Sequence, residues 1–230
     1  MQAVILAGGL GSRLRPLTQA IPKALLPIGE KALLEIQIER LKSFNFSTVY
    51  IATNYKSEYI ERFISNVNYG MTICVSKETV PLGTVGPLSL LRDKLLSTFV
   101  LMNGDILTTL DFTKACSFAE SVPSPLCVVT KEVETPFSFG KITHDGTYIK
   151  SMEEKPNFTV EVLSGIYIVK PEILNFIPDN TYFGMDHLLN KLLANKISVS
   201  RYCMKEYWLD IGRITDYELA QEEYLNNSAE

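Results

Sequence analysis

The sequence predicts an α/β fold whose sheet is largely parallel and covered by helices on both faces. Short β-branched and apolar runs alternate with segments whose apolar residues recur at helical spacing through the first half of the chain. With 230 residues, 46% hydrophobic and 21% charged, the chain can bury a substantial core and is not of disordered composition. No internal repeat, low-complexity tract or clear linker interrupts it.

Taken in order, Gln2–Ala7 is a short apolar strand, followed by a Gly- and Pro-punctuated segment from Gly8 to Gly29. Leu34, Ile38 and Leu41 mark a helix, and Thr48–Thr53 (TVYIAT) is a β-branched strand. Ile60, Phe63 and Ile64 mark a second helix, Met71–Ser76 a strand, and Thr84–Leu95 a helix with Pro87 tolerated in its first turn. Thr98–Met102 is the next buried strand. The second half is more mixed: Leu126–Lys131, Gly140–Thr143, Tyr148–Glu153 and Val162–Val169 read as strands, with a turn at Asp145-Gly146. Helical patterns return at Pro171–Ile177, Met185–Ala194 and Ile214–Leu225, and the last five residues are expected to fray.

A net charge of −4 implies no basic surface, which argues against a nucleic-acid partner. Met1–Ala7 lacks a basic n-region and a cleavage site, so it reads as a strand and not a signal peptide. No apolar stretch approaches the ~18 residues of a spanning helix, so no membrane association is expected. Cys74, Cys116, Cys127 and Cys203 have no CxxC or short pairing and read as free thiols in a reducing cytoplasm. The two histidines, His144 in the turn-like His144-Asp145-Gly146-Thr147 and His187 in a helix, lack the spacing of a zinc site or a triad.

The most informative segment is Leu6-Ala7-Gly8-Gly9-Leu10-Gly11-Ser12-Arg13-Leu14. Glycines at a strand end let backbone N–H groups approach phosphate oxygens without Cβ obstruction. The GxGxxG pattern fails because Leu14 stands at the third glycine, and the second strand ends in Thr53-Asn54 with no acidic residue for a ribose. The P-loop pattern is also absent. Alone, such a loop is equally a tight turn. Here Arg13, Arg15 and Lys23 follow it in a connector stiffened by Pro16, Pro22 and Pro27, which concentrates cations behind the loop.

The stretch LAGGLGSRLRPLT…PKALLP closely resembles the signature of the sugar-1-phosphate nucleotidyltransferases, LAGGxGTRLxPLT followed by PKxLLP, with Ser12 replacing threonine and keeping the hydroxyl. The resemblance implies a Rossmann-like three-layer α/β/α fold of the nucleotide-diphospho-sugar transferase type, with a mostly parallel mixed central sheet. It also implies one domain over residues 1–230, with a nucleotide-binding half over 1–110 and a sugar-phosphate-binding half over 111–225.

Further stations agree. Asn103-Gly104-Asp105 follows a buried strand, where open α/β sheets bind ligands, and Asp105 is a candidate Mg²⁺ ligand. Asp210, in Tyr207-Trp208-Leu209-Asp210-Ile211-Gly212, resembles the aspartate of the family's W-x-D-x-G motif and would complete the metal site; Trp208 itself reads as core. Leu82-Gly83-Thr84 resembles the segment along the nucleobase, although Val85-Gly86-Pro87 departs from the usual Ala-Gly-Ala. Glu78 offers acceptors to a base edge or is equally a solvated charge. Glu153-Glu154-Lys155-Pro156 resembles the EEKP motif, in which a glutamate binds sugar hydroxyls and the lysine the sugar phosphate. Ser164-Gly165-Ile166-Tyr167 resembles the strand lining the sugar, and Gly140 stands where the family contacts the sugar through backbone.

The resemblance thus implies a nucleotidyltransferase joining a nucleoside triphosphate to a sugar 1-phosphate with release of pyrophosphate. Leu6, Ala7, Gly8, Gly9, Gly11, Ser12, Arg13, Lys23, Glu78, Gly83 and Asp105 would hold the nucleotide. Asn103, Gly140, Glu154, Lys155, Ser164 and Asp210 would hold the sugar phosphate. Arg13, Lys23 and Asp105 are the candidate catalytic residues, and Mg²⁺ would sit on Asp105 and Asp210. GTP is the preferred nucleotide and mannose-, heptose- or amino-sugar 1-phosphates the preferred acceptors, with UTP and dTTP as alternatives. A non-catalytic nucleotide-sugar sensor is the other class of reading; the retained cations and carboxylates speak against it. Relatives are often dimers or tetramers, so a homo-oligomer is expected. By its length, the chain is expected to lack the C-terminal left-handed β-helix of longer relatives.

Overall fold

The computed structural model describes residues 1–227. The strands are β1 (Gln2–Leu6), β2 (Pro27–Ile28), β3 (Lys31–Ala32), β4 (Thr48–Thr53), β5 (Thr72–Lys77), β6 (Phe99–Asn103), β7 (Ile106–Thr108), β8 (Leu126–Pro136), β9 (Lys141–Asp145), β10 (Tyr148–Glu153), β11 (Asn157–Val169), β12 (Val199–Met204) and β13 (Trp208–Asp210). The α-helices are α1 (Leu17–Ala20), α2 (Leu33–Ser43), α3 (Ser57–Ser65), α4 (Phe112–Ser121), α5 (Met185–Ala194) and α6 (Ile214–Asn227).

Seven strands form one sheet in the order β12-β8-β11-β6-β1-β4-β5. All neighbouring pairs are parallel except those made by β11, which runs antiparallel to both β6 and β8. The sheet is therefore mixed and mostly parallel, and strands from both halves of the chain share it. Side chains alternate across it, as the pleat requires. Ala3, Ile5, Ile51, Met102 and Val129 pack under Leu34, Ile38 and Leu41 of α2, with α3 and α4 on the same face. Val4, Ala52, Leu101, Val128 and Tyr167 pack on the other face against Leu188 and Leu192 of α5. A third cluster (Leu14, Leu26, Ile28, Leu33, Ile211 and Ala220) fastens the Pro-punctuated segment to α6.

Thr84–Leu95 departs from its predicted helix. Only Gly86–Leu91 is helical, as a 3₁₀ segment with proline at its start. The N–H groups of Val85 and Gly86 both donate to the Phe183 carbonyl, a tie that holds the backbone away from an α-helical turn. Pro171–Phe176 is likewise 3₁₀, and His144 lies within β9 rather than in the turn after it. The distal half of β8, the β9–β10 hairpin and the first half of β11 form an exposed arm beyond the sheet. Helix α6 reaches two residues into the segment expected to fray, and residues 228–230 lie outside the described residues. All four cysteines are free. Among the described residues no helix is long and apolar enough to cross a membrane.

Candidate active site

The site lies at the C-terminal ends of β1, β4 and β6, where parallel strands leave a crevice. The glycine loop leaves β1 there. Gly8 permits a close approach: a Cβ on it would lie 3.0 Å from the Glu78 Oε1 and 3.2 Å from the Asn54 backbone nitrogen. Gly9 has open space in front of it. Gly11 adopts φ +58°, and its carbonyl accepts a 2.8 Å hydrogen bond from the Thr18 hydroxyl, so the loop is held from behind by α1. These glycines line a cavity of about 510 Å³ with Leu6, Ser12, Glu78, Gly83, Asn103 and Asp105. Nine of the sequence-predicted positions are therefore brought around one space. Ala7 is buried behind it.

Glu78 is buried, and its Oε2 accepts a 2.9 Å bond from the Leu82 N–H. Burial pushes its carboxyl above the ordinary range, opposed by that N–H.

Asp105 follows β6 in a tight turn that depends on Gly104, whose N–H donates to the Leu6 carbonyl at 2.8 Å. A Cβ there would lie 2.7 Å from that carbonyl oxygen. Buried Gln37, from α2, donates to the carbonyls of Asn103 (3.0 Å) and Ile106 (2.8 Å) and so holds the turn from below. Strand β7 then pairs antiparallel with β13, setting Ile106 opposite Asp210. Asp105 Oδ1 and Asp210 Oδ1 are both buried with no hydrogen-bond partner. Lys23 forms an ion pair with Asp105 Oδ2, and the Arg13 guanidinium lies 3.3–3.5 Å from where a Cβ of Gly212 would stand. Burial raises the Asp210 carboxyl above its usual range and the Asp105 charge adds to this, while Lys23 and Arg13 oppose it.

An unpaired carboxylate oxygen in a buried position is costly unless a cation takes it. Two such oxygens, both hard donors, fit a divalent ion that takes one or two carboxylates and fills its shell with phosphate oxygens and water. Among the described residues no group of three or more His, Cys, Asp and Glu side chains is placed to hold a metal, so an all-protein cage is not offered.

The acceptor stations are placed differently. Glu154 and Lys155 are exposed on the arm and do not line the glycine-walled cavity. Gly140 is beside Glu154, whose Oε2 is 3.2 Å from a Cβ built on that glycine. Ser164 is not available to a ligand. It is fully buried, its hydroxyl donates to the Val129 carbonyl at 2.8 Å, and it bridges the bulge in β11. Gly165, with φ +74°, instead faces Asn103, whose Nδ2 is 2.6 Å from its built Cβ. Trp208 packs against the core, as expected, and its Nε1 donates to the Ser164 carbonyl at 2.7 Å. The sequence assigns no role to Gln37 or Tyr182, and Gly212 figures there only as the glycine of the W-x-D-x-G match. Gln37 leaves a trace as a polar residue inside an apolar helical stripe.

A crevice of this kind, with a glycine wall, two cations and paired carboxylates, defines a phosphate-handling α/β protein. The family model described as nucleotidyl transferase matches residues 2–227, and the chain belongs to that family. Curated relatives include the mannose-1-phosphate guanyltransferase of Saccharomyces cerevisiae, 30% identical over 239 residues, covering 100% of this chain and 66% of that protein. Another is the mannose-1-phosphate guanylyltransferase catalytic subunit beta of Dictyostelium discoideum, 33% identical, covering 99% of this chain and 65% of that one. The chain thus spans 65–66% of the length of these relatives. Among solved structures, HddC from Yersinia pseudotuberculosis matches with TM-score 0.76 at 28% identity, covering 97% of this chain and 99% of that one. The structure of HddC complexed with GMP-PN matches with TM-score 0.74. The inositol-1-phosphate CTP transferase of T. maritima, 18% identical with TM-score 0.73 over 96% of this chain and 95% of that one, shares the fold. The family generally uses a divalent metal.

Proposed function

We propose that the chain is a Mg²⁺-dependent guanylyltransferase acting in the cytoplasm on a sugar 1-phosphate of the mannose, heptose or amino-sugar type. It would yield a GDP-sugar and pyrophosphate for glycan biosynthesis. The observation that carries this reading is the pair of unpartnered carboxylate oxygens on Asp105 and Asp210, set beside Lys23 and Arg13 at the edge of the glycine-walled cavity. The domain is read as a nucleotide half over 1–110 and a sugar-phosphate half over 111–225.

A sugar-phosphate oxygen forms the new bond to the α-phosphorus, the α–β bridging bond breaks, and pyrophosphate leaves with the electron pair. The nucleophile is already ionised near neutral pH, so no general base is required; the obstacle is bringing two anions together in line. The backbone of Gly8, Gly9 and Gly11 holds the triphosphate. Arg13 stabilises charge on the reacting and leaving groups with its forked donors, and Lys23 turns from Asp105 to the phosphates. Asp105 and Asp210 would hold Mg²⁺, which when bound neutralises and orients phosphate oxygens. Glu154 and Lys155, with the Gly140 backbone and Asn103, take the sugar phosphate.

Guanine is favoured because it presents two adjacent donors, N1–H and N2–H, to an acceptor-only carboxylate. Uracil and thymine present a single N3–H between two carbonyls, which a carboxylate repels. Glu78 is the carboxylate in the cavity wall with an oxygen left over from the Leu82 bond. The names of the guanylyltransferase relatives and the GMP-PN complex of HddC support the same choice. A homo-oligomer belongs to this reading through the family resemblance, and light scattering tests it. The reaction is tested by pyrophosphate release with four nucleoside triphosphates against a panel of sugar 1-phosphates. Release with GTP and one of the three acceptor types is expected. No release from any pair by the folded protein with Mg²⁺ would overturn the reading and favour a sensor.

A further inference from the structure

Residues 181–185 are laced onto the cavity wall formed by Leu82–Gly86. The Phe183 N–H donates to the Leu82 carbonyl at 2.8 Å, and the N–H groups of Val85 and Gly86 each donate to the Phe183 carbonyl at 3.0 Å. The Met185 N–H donates to the Thr84 hydroxyl at 2.8 Å. The approach is closer than a side chain allows. A Cβ on Gly83 would lie 2.8 Å from the Phe183 carbonyl oxygen, and one on Gly86 2.9 Å from the Thr181 carbonyl oxygen.

This lacing fixes a residue whose side chain has no structural task. Tyr182 is 63% exposed, its hydroxyl makes no hydrogen bond among the described residues, and its one ring contact is an edge approach to His187 at 6.4 Å. An exposed aromatic residue alone is ordinary. Tyr182, however, lines the cavity together with Glu78, Pro81 and Gly83, directly before the doubly bonded Phe183. A tethered backbone at the mouth of a cavity lowers the ordering that a flat ligand must bring to the ring.

We propose that Tyr182 is a nucleoside-contacting residue, its ring stacking on the base that Glu78 reads at the edge. The inference rests on the nucleotide-binding reading of this cavity. It assigns the base two contacts of different kinds, one on its edge and one on its face.

The test titrates the full chain, with Mg²⁺ present, with a non-hydrolysable GTP analogue and separately with inorganic tripolyphosphate. Base–aromatic stacking of ordinary strength predicts that Tyr182→Ala weakens the analogue by about 5- to 150-fold. Tyr182→Phe should retain wild-type affinity, and tripolyphosphate should bind all three proteins alike. The side chain is exposed, so both variants should melt with the wild type. Equal affinity of wild type and Tyr182→Ala for the analogue would overturn the inference and leave the nucleotide reading intact. An equal loss for the analogue and tripolyphosphate would overturn it in favour of a phosphate-positioning effect. Failure of the wild type to bind any nucleoside triphosphate would overturn both.

Discussion

Asp105 and Asp210, far apart in the sequence, are held side by side by backbone pairing. Ile106 stands opposite Asp210 in the β7–β13 ladder, and the Ile211 N–H donates to the Asp105 carbonyl at 3.0 Å. Their convergence is therefore a property of the main chain and does not depend on the side chains themselves. A conservative change at either carboxylate should leave the geometry standing while removing its charge. Asp210→Asn is expected to lower turnover at least about a hundredfold. Its melting midpoint should not fall, because burial already disfavours the charged form of Asp210. Steady-state rates and thermal melts on one preparation check both halves.

Gly212 offers a way to disturb Arg13 without touching it. A methyl group there would meet the guanidinium at 3.3–3.5 Å, tighter than a comfortable contact but against the far end of a flexible side chain. Gly212→Ala should therefore leave stability unchanged and displace the cation, with turnover reduced roughly ten- to a hundredfold. An unchanged rate would mean that Arg13 does not act from this position.

A base-reading Glu78 would couple base choice to pH. Its folded-state pKa is raised by burial, so the protonated form is favoured by folding. That contribution is fully present below the ordinary glutamate value of about 4.3 and is lost as pH rises through the raised value. Relative to wild type, Glu78→Gln should gain stability as pH climbs through that window. Binding runs the other way, because only the ionised carboxylate accepts from both guanine donors. Selectivity for GTP over UTP should rise with pH in the wild type and be flat and weaker in Glu78→Gln. Melting curves and competition assays between the two nucleotides measure the two trends.

Ser164 separates family resemblance from local structure. Its buried hydroxyl spans the β11 bulge, donating to the Val129 carbonyl and accepting from the Ile166 N–H at 3.3 Å. Ser164→Ala should cost about 1–3 kcal/mol of stability, a drop of several degrees in the melting midpoint. The sugar-phosphate KM should not change. A selective rise in KM at constant stability would restore the sugar-binding role that the motif suggests.

Much of the sheet is legible in the sequence because its strands are buried and strongly patterned. The bounds of Thr48–Thr53, Tyr148–Glu153 and Met185–Ala194 are those of β4, β10 and α5. Helix α4 and strand β12 carry no comparably strong pattern. Val199–Met204 is an edge strand with mixed polarity, so its pairing with β8 is decided by the partner and not by its own pattern. β7 and β13 are three residues each and exist through each other, which no local signal announces. At the site, Arg13, Lys23, Asp105 and Asp210 are legible through the motif resemblance. The placements of Gln37 and Tyr182 are not, because they come from tertiary neighbours: a turn held from beneath and a loop laced to a distant glycine pair.

The most direct measurement is Mg²⁺-dependent pyrophosphate formation from GTP and mannose 1-phosphate, heptose 1-phosphate or an amino-sugar 1-phosphate, with the product identified by mass. The wild type should release one pyrophosphate per GDP-sugar formed; Asp105→Asn and Asp210→Asn should both lose that release, and Asp210→Asn should melt no lower than the wild type. Full activity in both variants, or wild-type activity that survives removal of all divalent metal, would contradict a site built on these two carboxylates.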